Sequence, residues 1–220
     1  MPTREQVVQR IIDVGIVAVV RADNGEILAE VAEALVEGGI DAIEITFTVP
    51  KAHRVLEQLA DQMGDRILLG AGTVLDAETA RIAILAGAQF VVTPIVDVPT
   101  IELCHRYDIA ALAGAYTATE VMRAWQAGAG IVKLFPSVGP AGAEYLKALK
   151  GPFPQVRLMP TSGVNLETAE AFLKAGACAL GAGSTLVEKK ALADRDMGRI
   201  TTLAKQYVEI VWRFREQGNS

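Results

Sequence analysis

The sequence predicts an α/β protein: a single (β/α)8 barrel over residues 1–220, with an N-terminal helix and a long C-terminal helix. Eight short apolar runs alternate with helical patterns along the chain. Many of the helical patterns end in glycine just before the next run, as in "EGGID", "LAGAQF", "QAGAGIV" and "KAGACAL". Glycine supplies the left-handed residue that ends a helix and turns the chain into a strand. Eight evenly spaced units favour a closed barrel over the alternative, a doubly wound open sheet.

Short runs of apolar or small residues, each ending near a glycine, a proline or a polar residue, predict the strands. In chain order these runs are Ile16–Val20, Ala42–Phe47, Leu68–Val74, Phe90–Pro94, Ala110–Tyr116, Ile131–Pro136, Arg157–Gly163 and Ala179–Thr185. Apolar residues at helical spacing predict the intervening helices, for example Ile27–Val36, Ala52–Met63, Glu78–Leu85 and Glu167–Lys174. The last helix, from about Met197 to Arg215, could cap the barrel or meet a partner subunit.

Composition and charge narrow the class of protein. Of the 220 residues, 51% are hydrophobic and only 5% are aromatic, as expected for a parallel sheet that helices cover on its faces. A net charge of −5 without basic runs argues against nucleic-acid or anionic-membrane binding. The charged start "MPTREQVVQR" is typical of an amphipathic helix rather than a signal peptide, and the longest uncharged stretch, residues 82–96, is too short to span a bilayer. We therefore expect a soluble cytoplasmic protein.

Two charged residues fall on the inward face of predicted strands. Strand side chains alternate between two faces, and in "AIEITFTVP" this places Glu44 on the inward face with Ala42 and Thr46. In "IVKLFP", Lys133 shares the inward face with Ile131. Each charged residue is the third of its strand, so we expect both at one level inside the barrel.

A buried lysine near a buried carboxylate is suited to Schiff-base chemistry. Burial favours the neutral amine, which attacks a ketone or an aldehyde to form an imine. The protonated imine draws electrons from a neighbouring carbon–carbon bond, and Glu44 is the inward carboxylate available to move the proton. A structural ion pair between Lys133 and Glu44 is the alternative. His53 and His105 fall on helical stretches and no metal-binding cluster occurs at the strand ends, so we expect no metal.

Glycine-rich strand ends predict sites for anions. "MPTSGVN" and "LGAGSTL" end the last two strands, where Gly163, Gly183 and Ser184 offer backbone N–H groups and a hydroxyl to a phosphate. Ordinary turn glycines are the alternative. In "GAGTV", Thr73, expected to face inward, and the glycine before it are able to bind a carboxylate. Arg21 ends the first strand on its inward parity, as either a carboxylate clamp or a surface arginine.

With these residues assembled, the chain resembles the 2-keto-3-deoxy-6-phosphogluconate (KDPG) aldolase family. The matching segments run in order from "IVAVVRA" to "GAGSTLV" and include "EITFTVP", "GAGTVLD", "FVVTP", "GAYTATE", "VKLFPS" and "PTSGVN". The resemblance implies a class I aldolase, a lyase that is usually a homotrimer and needs neither a metal nor an organic cofactor. It would reversibly cleave KDPG to pyruvate and glyceraldehyde 3-phosphate, a reaction of the Entner–Doudoroff pathway.

The resemblance also implies a role for each matching residue. Lys133 would form the Schiff base, and Glu44 would act as acid and base. Arg21 and Thr73 would hold the pyruvate carboxylate. The other substrate contacts would come from Pro94 and Phe135 around the pyruvyl carbons, from Thr161 on the hydroxyl side, and from Ser162, Gly163, Gly183 and Ser184 at the phosphate.

The chain departs from the family at two positions of the site. Ser162 stands where glycine is common, so its side chain either adds a hydroxyl ligand for the phosphate or crowds the loop. Thr48 stands where some members carry an arginine that binds the carboxylate, whereas other members have arginine at the end of the first strand, as here with Arg21.

Three other functions remain open from the sequence. The same chemistry could act on 2-keto-3-deoxy-6-phosphogalactonate or on 4-hydroxy-2-oxoglutarate. A phosphate-binding barrel isomerase would use Glu44 to move protons and Lys133 only for its charge. A non-catalytic binding protein would hold a phosphorylated ligand without turnover.

Overall fold

Eight parallel strands form a barrel in the computed structural model, which describes residues 2–22, 25–138 and 141–218. The strands are β1 (Ile16–Val20), β2 (Ala42–Thr46), β3 (Leu68–Gly72), β4 (Phe90–Val92), β5 (Ala110–Ala115), β6 (Ile131–Leu134), β7 (Leu158–Pro160) and β8 (Leu180–Ala182). Neighbours pair in chain order from β1 to β7, and β8 pairs with β1. An isolated bridge between Thr161 and Gly181 joins β7 to β8. The predicted (β/α)8 barrel is confirmed; residues 1, 23–24, 139–140 and 219–220 of the predicted domain lie outside the described residues.

Helices surround the barrel and close one of its ends. They are α1 (Arg4–Val14), α2 (Leu28–Glu37), α3 (Ala52–Met63), α4 (Ala77–Leu85), α5 (Val98–Arg106), α6 (Ala118–Gln126), α7 (Ala141–Lys150), α8 (Ala169–Lys174), α9 (Lys189–Asp194) and α10 (Met197–Gly218). The bounds of α3 are those that the sequence predicts. Both terminal helices are also present, as predicted. None of the helices in the described ranges is long and apolar enough to cross a membrane.

The helix α1 closes the end of the barrel at which the strands begin. Thr3 caps this helix: the Gln6 backbone N–H donates to the Thr3 hydroxyl at 3.3 Å, and the Thr3 backbone N–H donates to the Gln6 side chain at 2.8 Å. Val8 and Ile11 are buried and pack with inward-facing residues at the strand starts, such as Val17. Because apolar residues fill this end, polar side chains inside the barrel are left to the opposite end, where the strands finish.

Inward-facing glycines make room for larger side chains inside the barrel. A Cβ atom built on Gly70 would lie 2.2 Å from the ring of Phe90, and one built on Gly72 would lie 1.7 Å from Glu44 Oε1. Both distances are far below van der Waals contact, so only glycine fits at these positions of β3 unless the neighbouring side chains move. Small residues on β3 are therefore a condition for placing a carboxylate in the barrel interior.

The helix α10 packs along the outside of the barrel against α2 and α8. Tyr207 and Val211 bury their side chains in the layer between the strands and the helices. The guanidinium of Arg215 donates to the carbonyls of Ile12 and Asp13 at the end of α1. Of the two roles predicted for the last helix, capping the barrel is wrong, because α1 occupies the end that is closed.

Candidate active site

Lys133 and Glu44 point into the barrel from opposite sides. Glu44 lies on β2 and Lys133 on β6, which are four strands apart in either direction around the eight-stranded ring. The side chain of Glu44 is fully buried, and Lys133 is only 5% exposed. The strand neighbours of both residues follow the predicted alternation. Ile43 and Val132 pack in the hydrophobic core between the strands and the helices, whereas Ala42 and Ile131 pack in the core inside the barrel. The inward assignment of both charged residues is confirmed.

The carboxyl group of Glu44 has a raised pKa. Burial, which disfavours the charged form, is the largest cause, and the positive charges of Lys133 and Arg21 only partly offset it. Among the described residues, neither carboxyl oxygen of Glu44 has a hydrogen-bond partner. A carboxyl group in this state is able both to hold and to release a proton nearer neutral pH than an ordinary glutamate, as a general acid and base must.

The amine of Lys133 is not tied to the carboxylate. Its Nζ lies 5.3 Å from the centroid of the Phe135 ring. Since both oxygens of Glu44 are without a hydrogen bond, these two described residues do not form the hydrogen-bonded ion pair that the sequence also allowed. The amine is therefore left available to a reactant that enters the barrel.

A cavity of about 460 Å³ opens where the last strands end. Its lining includes seven of the predicted site residues: Arg21, Phe135, Thr161, Ser162, Gly163, Gly183 and Ser184. The side chain of Thr161 is 7% exposed, and its buried Oγ1, which approaches Gly181 of the neighbouring strand, has no hydrogen-bond partner among the described residues. Gly181 allows this approach, because a Cβ there would lie 2.2 Å from Thr161 Oγ1.

The loops after β7 and β8 form the polar part of this cavity, which we call the anion seat and define as residues 162–164 and 183–185. Gly163 has φ +86°, and a Cβ built on it would lie 2.1 Å from the carbonyl oxygen of Ser137, so no other residue fits without a shift. Within the described ranges, no acceptor pairs with the backbone N–H groups of Gly163, Gly183 or Ser184. Such N–H groups are suited to bind an anion.

Ser162 adds a side chain to the anion seat at the cost of backbone strain. Its φ of +70° lies in the left-handed region, which glycine adopts more easily. Residues held in this region cluster at functional sites, where the surrounding structure maintains them.

Thr73 and Pro94 lie at the ends of β3 and β4 but are not among the residues that line the cavity. Strand alternation does not extend to Thr73: Leu68 packs in the core inside the barrel, so the inward positions of β3 are Leu68, Gly70 and Gly72. Thr73 follows the strand with φ +55°, a rare conformation for a β-branched residue. Alternation therefore does not set the direction of its side chain.

Lys189 is a residue of the site that the sequence analysis missed. It is the first residue of α9, and it lines the same cavity as the anion seat. Glu188, its neighbour, pairs with Arg199 at 3.0 Å and so does not neutralise it. The only signal in the sequence is its position five residues after Ser184. In the described part of the chain, no group of three or more His, Cys, Asp or Glu side chains is arranged to hold a metal ion.

Curated proteins with sequences similar to this chain include aldolases. The model of the KDPG and KHG aldolase family matches residues 7–203. The 2-dehydro-3-deoxy-phosphogluconate aldolase of Treponema pallidum is 33% identical over 198 residues, which cover 90% of this chain and 94% of the relative. The 2-dehydro-3-deoxy-6-phosphogalactonate aldolase of Escherichia coli is 34% identical over 187 residues, covering 84% and 90% respectively. A solved structure of KDPG aldolase from Legionella pneumophila, with pyruvate captured at low pH as a covalent carbinolamine intermediate, has a TM-score of 0.83 and 29% identity, covering 93% of this chain and 97% of that one.

Proposed function

The chain belongs to the KDPG and KHG aldolase family, and we propose that Lys133 and Glu44 carry out its class I aldolase reaction inside the barrel. The protein is a lyase that reversibly cleaves KDPG to pyruvate and glyceraldehyde 3-phosphate. The observation that supports these two residues most is the state of Glu44, a fully buried carboxyl group with a raised pKa and no hydrogen bond, in the field of an unpaired lysine.

The reaction begins at the amine of Lys133. In its neutral form, Nζ attacks the C2 ketone of the substrate to give a carbinolamine, which loses water to form a protonated imine. The side chain of Lys133 is 5% exposed and projects into the barrel interior, where the substrate ketone must enter for this attack. The ring of Phe135, near Nζ, offers an apolar surface to the pyruvyl carbons.

Glu44 moves the protons of the steps that follow. Its carboxylate takes the proton of the C4 hydroxyl, directly or through a water, and the C3–C4 bond breaks to release glyceraldehyde 3-phosphate. The bonding electrons pass to the imine, which becomes an enamine. Glu44 then returns a proton to C3, and hydrolysis of the imine frees pyruvate and Lys133. The raised pKa of Glu44 suits both directions of transfer.

The remaining site residues are proposed to hold the two ends of the substrate. Arg21 and Thr73 bind the carboxylate, with Pro94 beside the pyruvyl carbons. Thr161 uses its unpaired hydroxyl for the substrate's hydroxyl side. The phosphate lies in the anion seat, contacted by Ser162, Gly163, Gly183 and Ser184, and Lys189 adds a positive charge at its edge.

A second candidate substrate is 2-keto-3-deoxy-6-phosphogalactonate. The relative named as a phosphogalactonate aldolase is 34% identical to this chain, and the one named as a phosphogluconate aldolase is 33% identical. The two substrates differ in the configuration of one hydroxyl-bearing carbon, so the same lysine, glutamate and anion seat serve both. Rates of cleavage of the two purified epimers distinguish these candidates.

The imine is tested by trapping it with borohydride. The protein is incubated with pyruvate and borohydride, digested, and the modified peptide is identified by mass spectrometry. We expect a reduced pyruvyl adduct on Lys133, none in Lys133→Ala, and an unchanged adduct in the matched variant Lys147→Ala, which removes an exposed lysine of α7. An intact, folded protein that forms no adduct would refute the class I mechanism at this residue.

We further propose that the protein is a cytoplasmic homotrimer. Exposed apolar side chains gather on α4 and α5 and at their ends, where these helices pack against each other: Leu75, Ile82, Leu85, Ile95 and Tyr107. Exposed apolar side chains on neighbouring helices are suited to contact with another copy of the chain. Light scattering of the wild type and of Leu85→Asp tests this surface: we expect a trimer that dissociates in the variant, whereas a wild-type monomer would refute it.

A further inference from the structure

A buried tyrosine of α10 reaches the two loops of the anion seat. Tyr207 is fully buried, and its hydroxyl lies 2.9 Å from Thr185 Oγ1 and 3.5 Å from the carbonyl oxygen of Val164. Thr185 Oγ1 in turn donates to the carbonyl oxygen of Val164 at 2.8 Å. Because that carbonyl only accepts, the Thr185 proton is committed to it, and Tyr207 donates its own proton to Thr185. The hydroxyl relay therefore runs from Tyr207 through Thr185 to Val164.

The relay joins the barrel where its strands are least connected. Most neighbouring strands share a ladder of three or more register pairs, whereas the described residues of β7 and β8 are joined by the Thr161–Gly181 bridge and by a hydrogen bond from Cys178 N to Leu158 O. The anion seat spans this seam, since one of its loops follows β7 and the other follows β8. The strand ladder alone thus leaves the spacing of the two loops weakly determined, and the relay crosses between them.

The relay also fixes the direction of the peptide groups around the seat. Thr168 donates to the carbonyl oxygen of Gly163 at 2.8 Å, as Thr185 does to that of Val164. Two consecutive carbonyls of the loop are therefore held by hydroxyls from other segments. Both Val164 and Thr185 line the cavity, but Tyr207 does not. Its effect on a ligand must pass through Thr185.

From these contacts we propose that Tyr207 is a positioning residue for phosphate binding, which sets the spacing of the two seat loops through Thr185. The proposal rests on the proposed function in that it takes the seat to hold the phosphate end of the substrate. Burial raises the pKa of the Tyr207 phenol, so the hydroxyl remains a proton donor throughout the neutral range. The relay acts on binding of the phosphorylated end and leaves the chemistry at Lys133 and Glu44 unaltered.

Removal of single hydroxyls tests the relay. Tyr207→Phe keeps the buried ring and Thr185→Val keeps the shape of the side chain, so each removes one hydroxyl. The loss of one hydrogen bond corresponds to roughly a 3- to 10-fold change in affinity. We expect each variant to raise KM for the phosphorylated substrate by about that factor and to keep kcat within about twofold of the wild type. The KM for 4-hydroxy-2-oxoglutarate should not change, because this substrate carries no phosphate. Thr185→Ser keeps a hydroxyl at this position and should have the KM of the wild type. In the double variant, Tyr207→Phe should raise KM little beyond the value for Thr185→Val alone.

Thr201→Val is the matched control. Thr201 lies on the same helix, is buried, and donates to the carbonyl oxygen of Ala34 at 3.0 Å, away from the seat. Its loss should lower the melting temperature as much as the seat variants do without changing KM. A KM in Tyr207→Phe and Thr185→Val no higher than in Thr201→Val would overturn the proposal, as would equal changes for the two substrates.

Titration with inorganic phosphate separates this proposal from the proposed function. Calorimetry reads phosphate binding whether or not the protein cleaves a sugar acid, and we expect weaker binding in Tyr207→Phe than in Thr201→Val. Equal phosphate binding in these two variants refutes the relay even if the wild type is an active aldolase. Weaker binding in Tyr207→Phe supports the relay even if no pyruvate adduct forms on Lys133.

Discussion

Adding one methyl group at Gly72 tests whether Glu44 must stand where the structure holds it. A Cβ on Gly72 would lie 1.7 Å from Glu44 Oε1 and 2.4 Å from its carboxyl carbon. An ordinary contact needs about 3.5 Å, so the carboxyl group has to move by about 1.8 Å. Gly72 is not among the glycines with a positive φ, so the backbone at this position tolerates alanine. The perturbation thus acts on Glu44 and leaves Lys133 in place.

A displacement of 1 Å at a catalytic group can lower a rate about 10²-fold. We therefore expect Gly72→Ala to lower kcat for aldol cleavage by at least about 10²-fold. Overpacking should lower the free energy of unfolding by about 1–3 kcal/mol. Pyruvate should still be trapped on Lys133 by borohydride, because the amine is untouched.

The assay compares Gly72→Ala with Gly198→Ala, a control whose new Cβ would meet nothing closer than 3.6 Å. Steady-state cleavage, borohydride trapping and denaturant unfolding are measured for both. If Gly72→Ala folds and cleaves the substrate within about threefold of the wild type, the position of Glu44 is not critical, and its assignment as the acid and base is wrong.

Three further substitutions test the charges and the strain of the site. Glu44→Gln should lower kcat by about 10²–10⁴-fold while leaving the pyruvate adduct. In the folded chain the pKa of Glu44 is raised above its ordinary value of 4.5. This group therefore stabilises the fold fully below pH 4.5, and its contribution is lost as the pH rises through the raised pKa. In thermal unfolding at increasing pH, the wild type should therefore lose stability relative to Glu44→Gln. Lys189→Ala should raise KM for the phosphorylated substrate by up to roughly fivefold, and by less at high salt. Lys190→Ala should not raise KM, because Lys190 pairs with Asp194. If the two variants have equal KM values, Lys189 does not belong to the site. Ser162→Gly should raise the free energy of unfolding by about 1 kcal/mol, since glycine adopts φ +70° without strain, and a loss of stability in denaturant would show that the Ser162 side chain makes an overriding contact.

Alternation along the strands made the barrel interior predictable from the sequence. Glu44 and Lys133 could be placed inside because a strand repeats every two residues, and the glycines that end many helices marked where each strand begins. The strand ends were less predictable. The runs predicted for β7 and β8 continue to Gly163 and Thr185, but the strands stop at Pro160 and Ala182, since small residues in a turn look like the end of a strand.

Contacts between distant segments lie beyond any local pattern. Thr73 leaves the strand alternation through a left-handed backbone angle, which a threonine gives no reason to expect. Lys189 reaches the cavity only because α9 begins beside the anion seat. Tyr207 is a long way along the chain from Val164, and only the packing of α10 on the barrel brings the two together. Each of these three depends on tertiary packing, for which a single sequence carries no periodic signal.

The glycines of β3 connect the packing of the barrel with the protonation of its carboxyl group. Gly70 pairs with Glu44 across the sheet, and the Phe90 ring fills the space that a side chain at position 70 would take. The side chain of Glu44 is fully buried, and this burial is the main cause of its raised pKa. Gly72 in turn provides the space in which the carboxyl group stands. The two glycines of "LLGAG", which carry no chemistry themselves, therefore make room for the packed interior in which the carboxyl group stands with its raised pKa.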